Sequence, residues 1–205
     1  MGLLKQAESD PSLLSRRLLV DLPPDRTPLL IPADARVEAG KVYTVEELLE
    51  LVVAHSDNVA LDALYTLQLR PVYDRVFADL GLSAPPPAAP EARMRVKDYA
   101  TFFRILYNAS YLTREMSEKA LGILARSSFR QGLPSGVPAG VPVAHKFGER
   151  TSDGGPELQL HDCGIVYHPK TPYVLCVMTR GPKLVGLLST IRRASALAYA
   201  EVDAR

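Results

Sequence analysis

The sequence predicts an α+β fold in one domain. A mainly helical lobe spans residues 1–140, and a three-stranded antiparallel sheet with a closing helix spans residues 141–205. Three observations carry this. Apolar residues recur at helical spacing through the first part of the chain, most clearly at Val45, Leu48, Leu49, Val52 and Val53. After "LPSGVPAG" the pattern changes to three short β-rich runs, "VPVAHKFGE", "ELQLHDCGIVY" and "PYVLCVMTR", separated by turn residues. Behind Gly181-Pro182 the helical spacing returns in "KLVGLLSTIRRASALAYAEV", with Pro182 suited to a first helical turn.

The lobe reads element by element. "MGLLKQAESD" has helical character and breaks at Asp10-Pro11, and "SLLSRRLLV" reads as a second short amphipathic helix. "DLPPDRTPLLIPADARVEAGK" is proline-rich and reads as a surface loop. Thr44 is suited to cap the next helix, and Glu47 three residues later completes a capping box. That helix ends near His55, and Asp57 or Asn58 can start the following one, "VALDALYTL". "RPVYDRVFADLG" is a helix closed by Gly81, "SAPPPAAPEA" is a loop, and "KDYATFFRILYNASYL" and "TREMSEKALGILARS" are two further helices.

Composition narrows the function classes. With 205 residues, 47% hydrophobic and 23% charged, the chain can bury an ordinary globular core. A formal net charge of +1 gives no electrostatic footprint for nucleic acid. No apolar run approaches the roughly 20 residues of a transmembrane helix, so no membrane segment is expected. The opening residues lack the apolar core and cleavage site of a signal peptide, and the compartment stays open. Cys163 and Cys176 show no metal-ligand spacing, so no metal and no other cofactor is expected. The two cysteines are expected to be buried free thiols. They could also face each other across a hairpin, so a disulfide stays open.

Two short segments carry chemistry. Ser56-Asp57-Asn58 lies between two helices, and each of these residue types also caps helices. Lys146-Phe147-Gly148 lies on the first strand of the sheet, where a lone Lys-x-Gly can equally be a solvated lysine and a bulge. In this order and at this distance, the pair resembles the S-D-N and K-T-G signatures of class A β-lactamases and penicillin-binding proteins. Supporting stretches are "TVEELLELVVAHSDNVALDAL", "HDCGIVYHPKTPYVLCVMTRG" and the closing helix, so the resemblance covers essentially the whole chain.

The resemblance implies a β-lactamase/transpeptidase-like fold and a serine hydrolase acting on β-lactams or peptidoglycan-type peptides through an acyl-serine. It implies that Ser56 relays a proton toward the leaving nitrogen and that Lys146 holds positive charge near that hydroxyl and the substrate carboxylate. Asn58 would orient the substrate, and Gly148 would let the substrate backbone approach the strand. Asp57 is expected to cap the following helix.

The sequence departs from the family pattern in three places. No Ser or Thr has Lys three residues on, so the S-x-x-K nucleophile is absent. The expectation is a chain truncated inside that helix, without the family's N-terminal strands, and inactive as it stands. Phe147 occupies the position of a hydroxyl residue that helps bind the substrate carboxylate, and a phenyl ring cannot donate that hydrogen bond. The E-x-x-L-N deacylation motif is also missing, and Glu91, the one carboxylate in the compressed loop, reads as a surface residue. His55 and His145, next to Ser56 and Lys146 in sequence, read as structural, because adjacent residues point in different directions.

The expected partner is a small-molecule β-lactam or a cell-wall peptide. Residues 173–180 should form an uncharged sheet edge open to self-association. The alternative is a non-enzymatic binding or structural protein that keeps the fold.

Overall fold

The structure is a computed structural model and describes residues 1–21, 30–67, 69–84, 94–151 and 157–205. The chain begins with α1 (Gly2–Ala7) and α2 (Ser12–Ser15), then forms two short strands, β1 (Arg17–Val20) and β2 (Lys41–Thr44). These pair antiparallel, with Arg17 opposite Thr44 and Val20 opposite Lys41. This corrects the reading of "SLLSRRLLV" as one helix. The backbone turns extended at Arg16 (ψ 131°), and Val20 is fully buried. The ladder bonds come from a partner more than twenty residues away, which the local apolar pattern does not reveal.

β2 runs directly into α3 (Val45–Ala54) through the expected capping box. The Glu47 N–H donates to Thr44 Oγ1 at 3.2 Å, and the Thr44 N–H donates to Glu47 Oε2 at 2.6 Å. α4 (Asn58–Tyr65) is capped by Asp57, whose Oδ1 accepts the Ala60 N–H at 2.8 Å. Asp57 Oδ2 accepts the Val37 N–H at 2.9 Å, so one buried carboxylate fixes both the helix start and the loop ahead of β2.

α5 (Leu69–Asp79) is followed by Gly81 at φ +65, a conformation glycine adopts at no steric cost. α6 (Val96–Tyr107) is shorter than the sequence suggested, because Ala109 turns left-handed (φ 47) and ends it. α7 (Arg114–Ala125) is capped by Thr113, whose side chain accepts the Met116 N–H.

After a 3-10 turn at Leu133–Gly136 come β3 (Val143–Thr151), β4 (Leu158–Val166) and β5 (Tyr173–Gly181), in the antiparallel order β3-β4-β5. α8 (Leu184–Asp203) closes the fold, with Lys183 as its N-cap. Pro182 therefore lies just ahead of the helix rather than in its first turn. The α+β order of helical lobe, three-stranded sheet and closing helix is as the sequence predicts.

The sheet separates two apolar clusters. Ala144, Cys163 and Ile165 join Leu4, Leu48, Ala60, Phe103 and Leu124 on the helical-lobe face. Val143, Phe147, Leu160 and Val166 join Leu187 and Ile191 of α8 on the other. Side chains alternate along each strand, so one register serves both cores.

Cys163 and Cys176 are joined by a disulfide, which corrects the expectation of free thiols. The register sets them directly opposite on β4 and β5, with a Cα–Cα distance of 4.0 Å. Sequence alone shows two buried-type cysteines, and only the pairing register shows that they meet. Among the described residues β5 pairs only with β4, which leaves its other side as a sheet edge.

Candidate active site

The site lies where the α3–α4 connection meets β3. Ser56 sits between the end of α3 and the Asp57 cap in a left-handed conformation (φ 57) that L-residues rarely adopt. The backbone is held there because the Asp57 N–H donates to Leu51 O at 3.1 Å while the Asp57 side chain grips Ala60 and Val37. Strained backbone of this kind persists where the surroundings over-determine it, and it concentrates at functional sites.

Lys146 approaches from β3. Its Nζ donates to Ser56 Oγ at 2.7 Å and to its neighbour's carbonyl, Phe147 O, at 3.1 Å. The two residues are ninety positions apart in sequence and meet only because the fold brings α3–α4 against the first strand of the sheet. Burial lowers the Lys146 ammonium from 10.5 to about 8, against the opposing pull of the Asp162 and Glu149 carboxylates. A lysine poised there can both donate a proton to the serine oxygen and accept one from it.

Asn58 is the first residue of α4 and is exposed. Phe147 is buried, its ring 4.5 Å from that of Phe129 (centroid to centroid). Lys146 Nζ stands 4.6 Å from the Phe147 centroid, a cation–π distance. The Phe147 ring thus presents an apolar face to the ammonium and no hydroxyl donor beside it. Gly148 lies opposite His161 in the register, and a Cβ on Gly148 would overlap the His161 imidazole. Glu91 lies outside the described residues.

His145 turns away from Lys146, and its Nδ1 lies 2.7 Å from Asp162 Oδ1, both side chains fully buried. Asp162 Oδ2 accepts the Leu133 N–H at 2.8 Å, so this pair ties β3, β4 and the 3-10 turn together. His55 is half-buried beside Ser56.

Sequence reasoning missed two neighbours of the site. Glu149, three residues after Lys146, accepts the Leu30 N–H at 3.0 Å and lashes residues 30–31 to β3. Burial raises its pKa. Tyr99 and Lys146 line one cavity of about 250 Å³ with Leu4, Leu49, Phe103 and Leu106. Burial pushes the Tyr99 hydroxyl above its usual range and the His161 imidazole below its own. Neither contact has a local sequence signal, since each depends on a partner far along the chain. Among the described residues no cluster of three His, Cys, Asp or Glu could hold a metal ion.

The helical lobe, the sheet with its closing helix, and a serine and lysine meeting between them define a β-lactamase-like α+β fold. The chain belongs to the β-lactamase enzyme family, whose model matches residues 3–202. It is similar to a PBP-A mutant solved as an acyl-enzyme complex with penicillin G, at 22% identity and a TM-score of 0.77, over 100% of this chain and 78% of that one. It is similar to TLA-3 extended-spectrum β-lactamase at 15% identity and a TM-score of 0.81, over 98% of this chain and 80% of that one. It is also similar to a class A β-lactamase from Mycobacterium abscessus at 21% identity and a TM-score of 0.76, over 98% and 80% of the two chains. At these identities the likeness speaks for the fold. No curated protein matches the chain. Among the described residues no helix is long and apolar enough to cross a membrane.

Proposed function

We propose that this chain carries the relay side of a β-lactamase-family cleft, recognising β-lactams or peptidoglycan-type peptides without acylation by penicillins. The observation that carries this reading is the 2.7 Å contact between Lys146 Nζ and Ser56 Oγ. In a form of the protein that also has an S-x-x-K serine, Ser56 passes a proton toward the leaving nitrogen. Lys146 then lowers the cost of negative charge at the serine and attracts the substrate carboxylate. Asn58 and Gly148 contribute substrate contacts from α4 and β3. Asp57 keeps the Ser56 geometry by capping α4.

No Ser or Thr in this sequence satisfies S-x-x-K, so the acyl-serine route of the family has no nucleophile of the usual kind here. Phe147 supports the second reading, a non-enzymatic binder, because its ring removes one hydrogen-bond donor for a carboxylate. The uncharged run of β5 before Arg180 supports self-association through residues 173–180, which sedimentation of the purified chain tests: a concentration-independent monomer removes it.

The test of function is intact-mass spectrometry after incubation with a reporter penicillin. The expected result is an unchanged mass, and a stoichiometric serine-linked adduct overturns the reading.

A further inference from the structure

We propose that residues 30–37 form a strap that closes the Ser56–Lys146 cleft, latched by the Glu149 carboxylate, and that a ligand enters only when the Leu30–Ile31 end lets go. The inference rests on Ser56 and Lys146 being the cleft of the proposed function. It does not depend on which ligand enters there.

The strap is tied to the cleft at both ends. At one end the Val37 N–H donates to Asp57 Oδ2 at 2.9 Å, and Asp57 directly follows Ser56. At the other end the Leu30 N–H donates to Glu149 Oε1 at 3.0 Å, and the Ile31 N–H donates to the same carboxylate. Glu149 stands three strand positions after Lys146, roughly 10 Å along β3. Lys146 in turn holds Ser56 Oγ at 2.7 Å. These contacts close a ring. The strap is one side of it, and the Ser56–Lys146 pair is the other.

Exposure along the strap alternates. Ile31 is buried and Ala33, Ala35 and Val37 are half-buried, while Pro32, Asp34 and Arg36 are exposed. That is the pattern of an extended chain lying with one face on the protein. Ile31 enters the apolar cluster that contains Phe147 and Phe129, whereas Ala33 and Ala35 have little apolar area to bury. The strap is therefore held at its ends and loosely along its middle. Pro32 has no N–H to donate, so the latch stops at Ile31.

The two ends differ in hold. Asp57 is buried and also caps α4 through the Ala60 N–H, so the Val37 end moves only with the helix start. Glu149 is half-buried. Burial raises its carboxyl, against the pull of the Leu30 and Ile31 amides and of the Lys146 ammonium. The Leu30–Ile31 end is thus the one that opens, with Val37 as the hinge. Segments with few buried apolar contacts open locally, ahead of the fold as a whole.

Amide hydrogen exchange of the full chain reads the latch without any ligand. Glu149→Ala should speed exchange at Leu30 and Ile31 by about tenfold and leave Val37 within about twofold of the parent. Glu149→Gln, which keeps an acceptor, should fall between. Ile31→Ala loosens the same end while keeping the Glu149 charge beside Lys146, and it should speed exchange at Leu30. In that variant trinitrobenzenesulfonate at pH 8.5 should modify the Lys146 amine about fivefold faster than in the parent, as peptide mapping reads it. Benzylpenicillin, titrated by amide NMR at pH 7, should bind the same variant about threefold tighter. Circular dichroism checks that each variant is folded. Unchanged exchange at Leu30 and Ile31 in Glu149→Ala overturns the strap, and so does a Lys146 amine that reacts no faster in Ile31→Ala. Penicillin that binds parent and Ile31→Ala equally well overturns it too. Faster exchange and faster Lys146 modification, with penicillin bound by neither protein, support the strap and overturn β-lactam recognition instead.

Discussion

Lys146→Met keeps an unbranched side chain that lacks only the terminal ammonium, and it removes the charge, which makes it the sharpest physical test of the site. Burial brings the Lys146 ammonium from 10.5 to about 8, and that difference corresponds to about 3 kcal/mol opposing the folded state. The sign follows from proton binding. Below pH 8 lysine is protonated in both states and the full cost is present. Between pH 8 and 10.5 the folded chain has released a proton that the unfolded chain still holds, so the cost fades as pH rises. Methionine forfeits the hydrogen bonds to Ser56 Oγ and Phe147 O, each worth about 1 kcal/mol. The expected balance is a variant about 1 kcal/mol more stable than the parent at pH 7 and about 2 kcal/mol less stable above pH 10.5. Urea unfolding of both proteins at the two pH values reads this difference, since titrating groups remote from Lys146 cancel within each pair. A stability difference that does not change between pH 7 and 10.5 refutes the buried-charge account of Lys146.

Other perturbations test the frame around the site. Thr44→Ala removes the capping oxygen at Glu47 N–H and should cost about 1 kcal/mol in denaturant unfolding, with Thr44→Ser restoring most of it. Gly148→Ala forces the His161 imidazole to move and should lower stability by about 1–3 kcal/mol, and adding His161→Ala should recover part of the loss. Reduction of the Cys163–Cys176 bridge, which joins residues 13 positions apart, should cost about 3 kcal/mol, and thiol titration of the unreduced protein should find no free thiol.

Much of the frame was legible because its signals are local. Thr44 and Glu47 sit three residues apart and cap a helix with an apolar stripe, and Asp57 opens α4 for the same reason. The three strands of the sheet announce themselves by β-rich composition and by turns such as "HPKT". What stayed hidden depends on pairing across distance. The β1–β2 ladder joins Arg17 to Thr44 over a proline-rich stretch, so "RRLLV" alone was indistinguishable from a helix. The disulfide follows from the β4–β5 register, which sets Cys163 against Cys176. The Lys146–Ser56 contact was anticipated through the family resemblance and not through periodicity. The grip of Glu149 on Leu30, the His145–Asp162 pair and the Phe147 ring beside the ammonium had no sequence signal at all. The first two pairs join residues far apart in the chain, which strand alternation sends away from their sequence neighbours.

The central claim is that Ser56 and Lys146 form a ligand-binding cleft in this chain. Backbone amide NMR during a benzylpenicillin titration at pH 7 tests it most directly. The account predicts saturable, non-covalent shifts centred on Ser56, Asn58, Lys146 and Gly148, weakened in Lys146→Met. Titration to millimolar ligand with no response at these residues, or a response centred elsewhere on the fold, would contradict it.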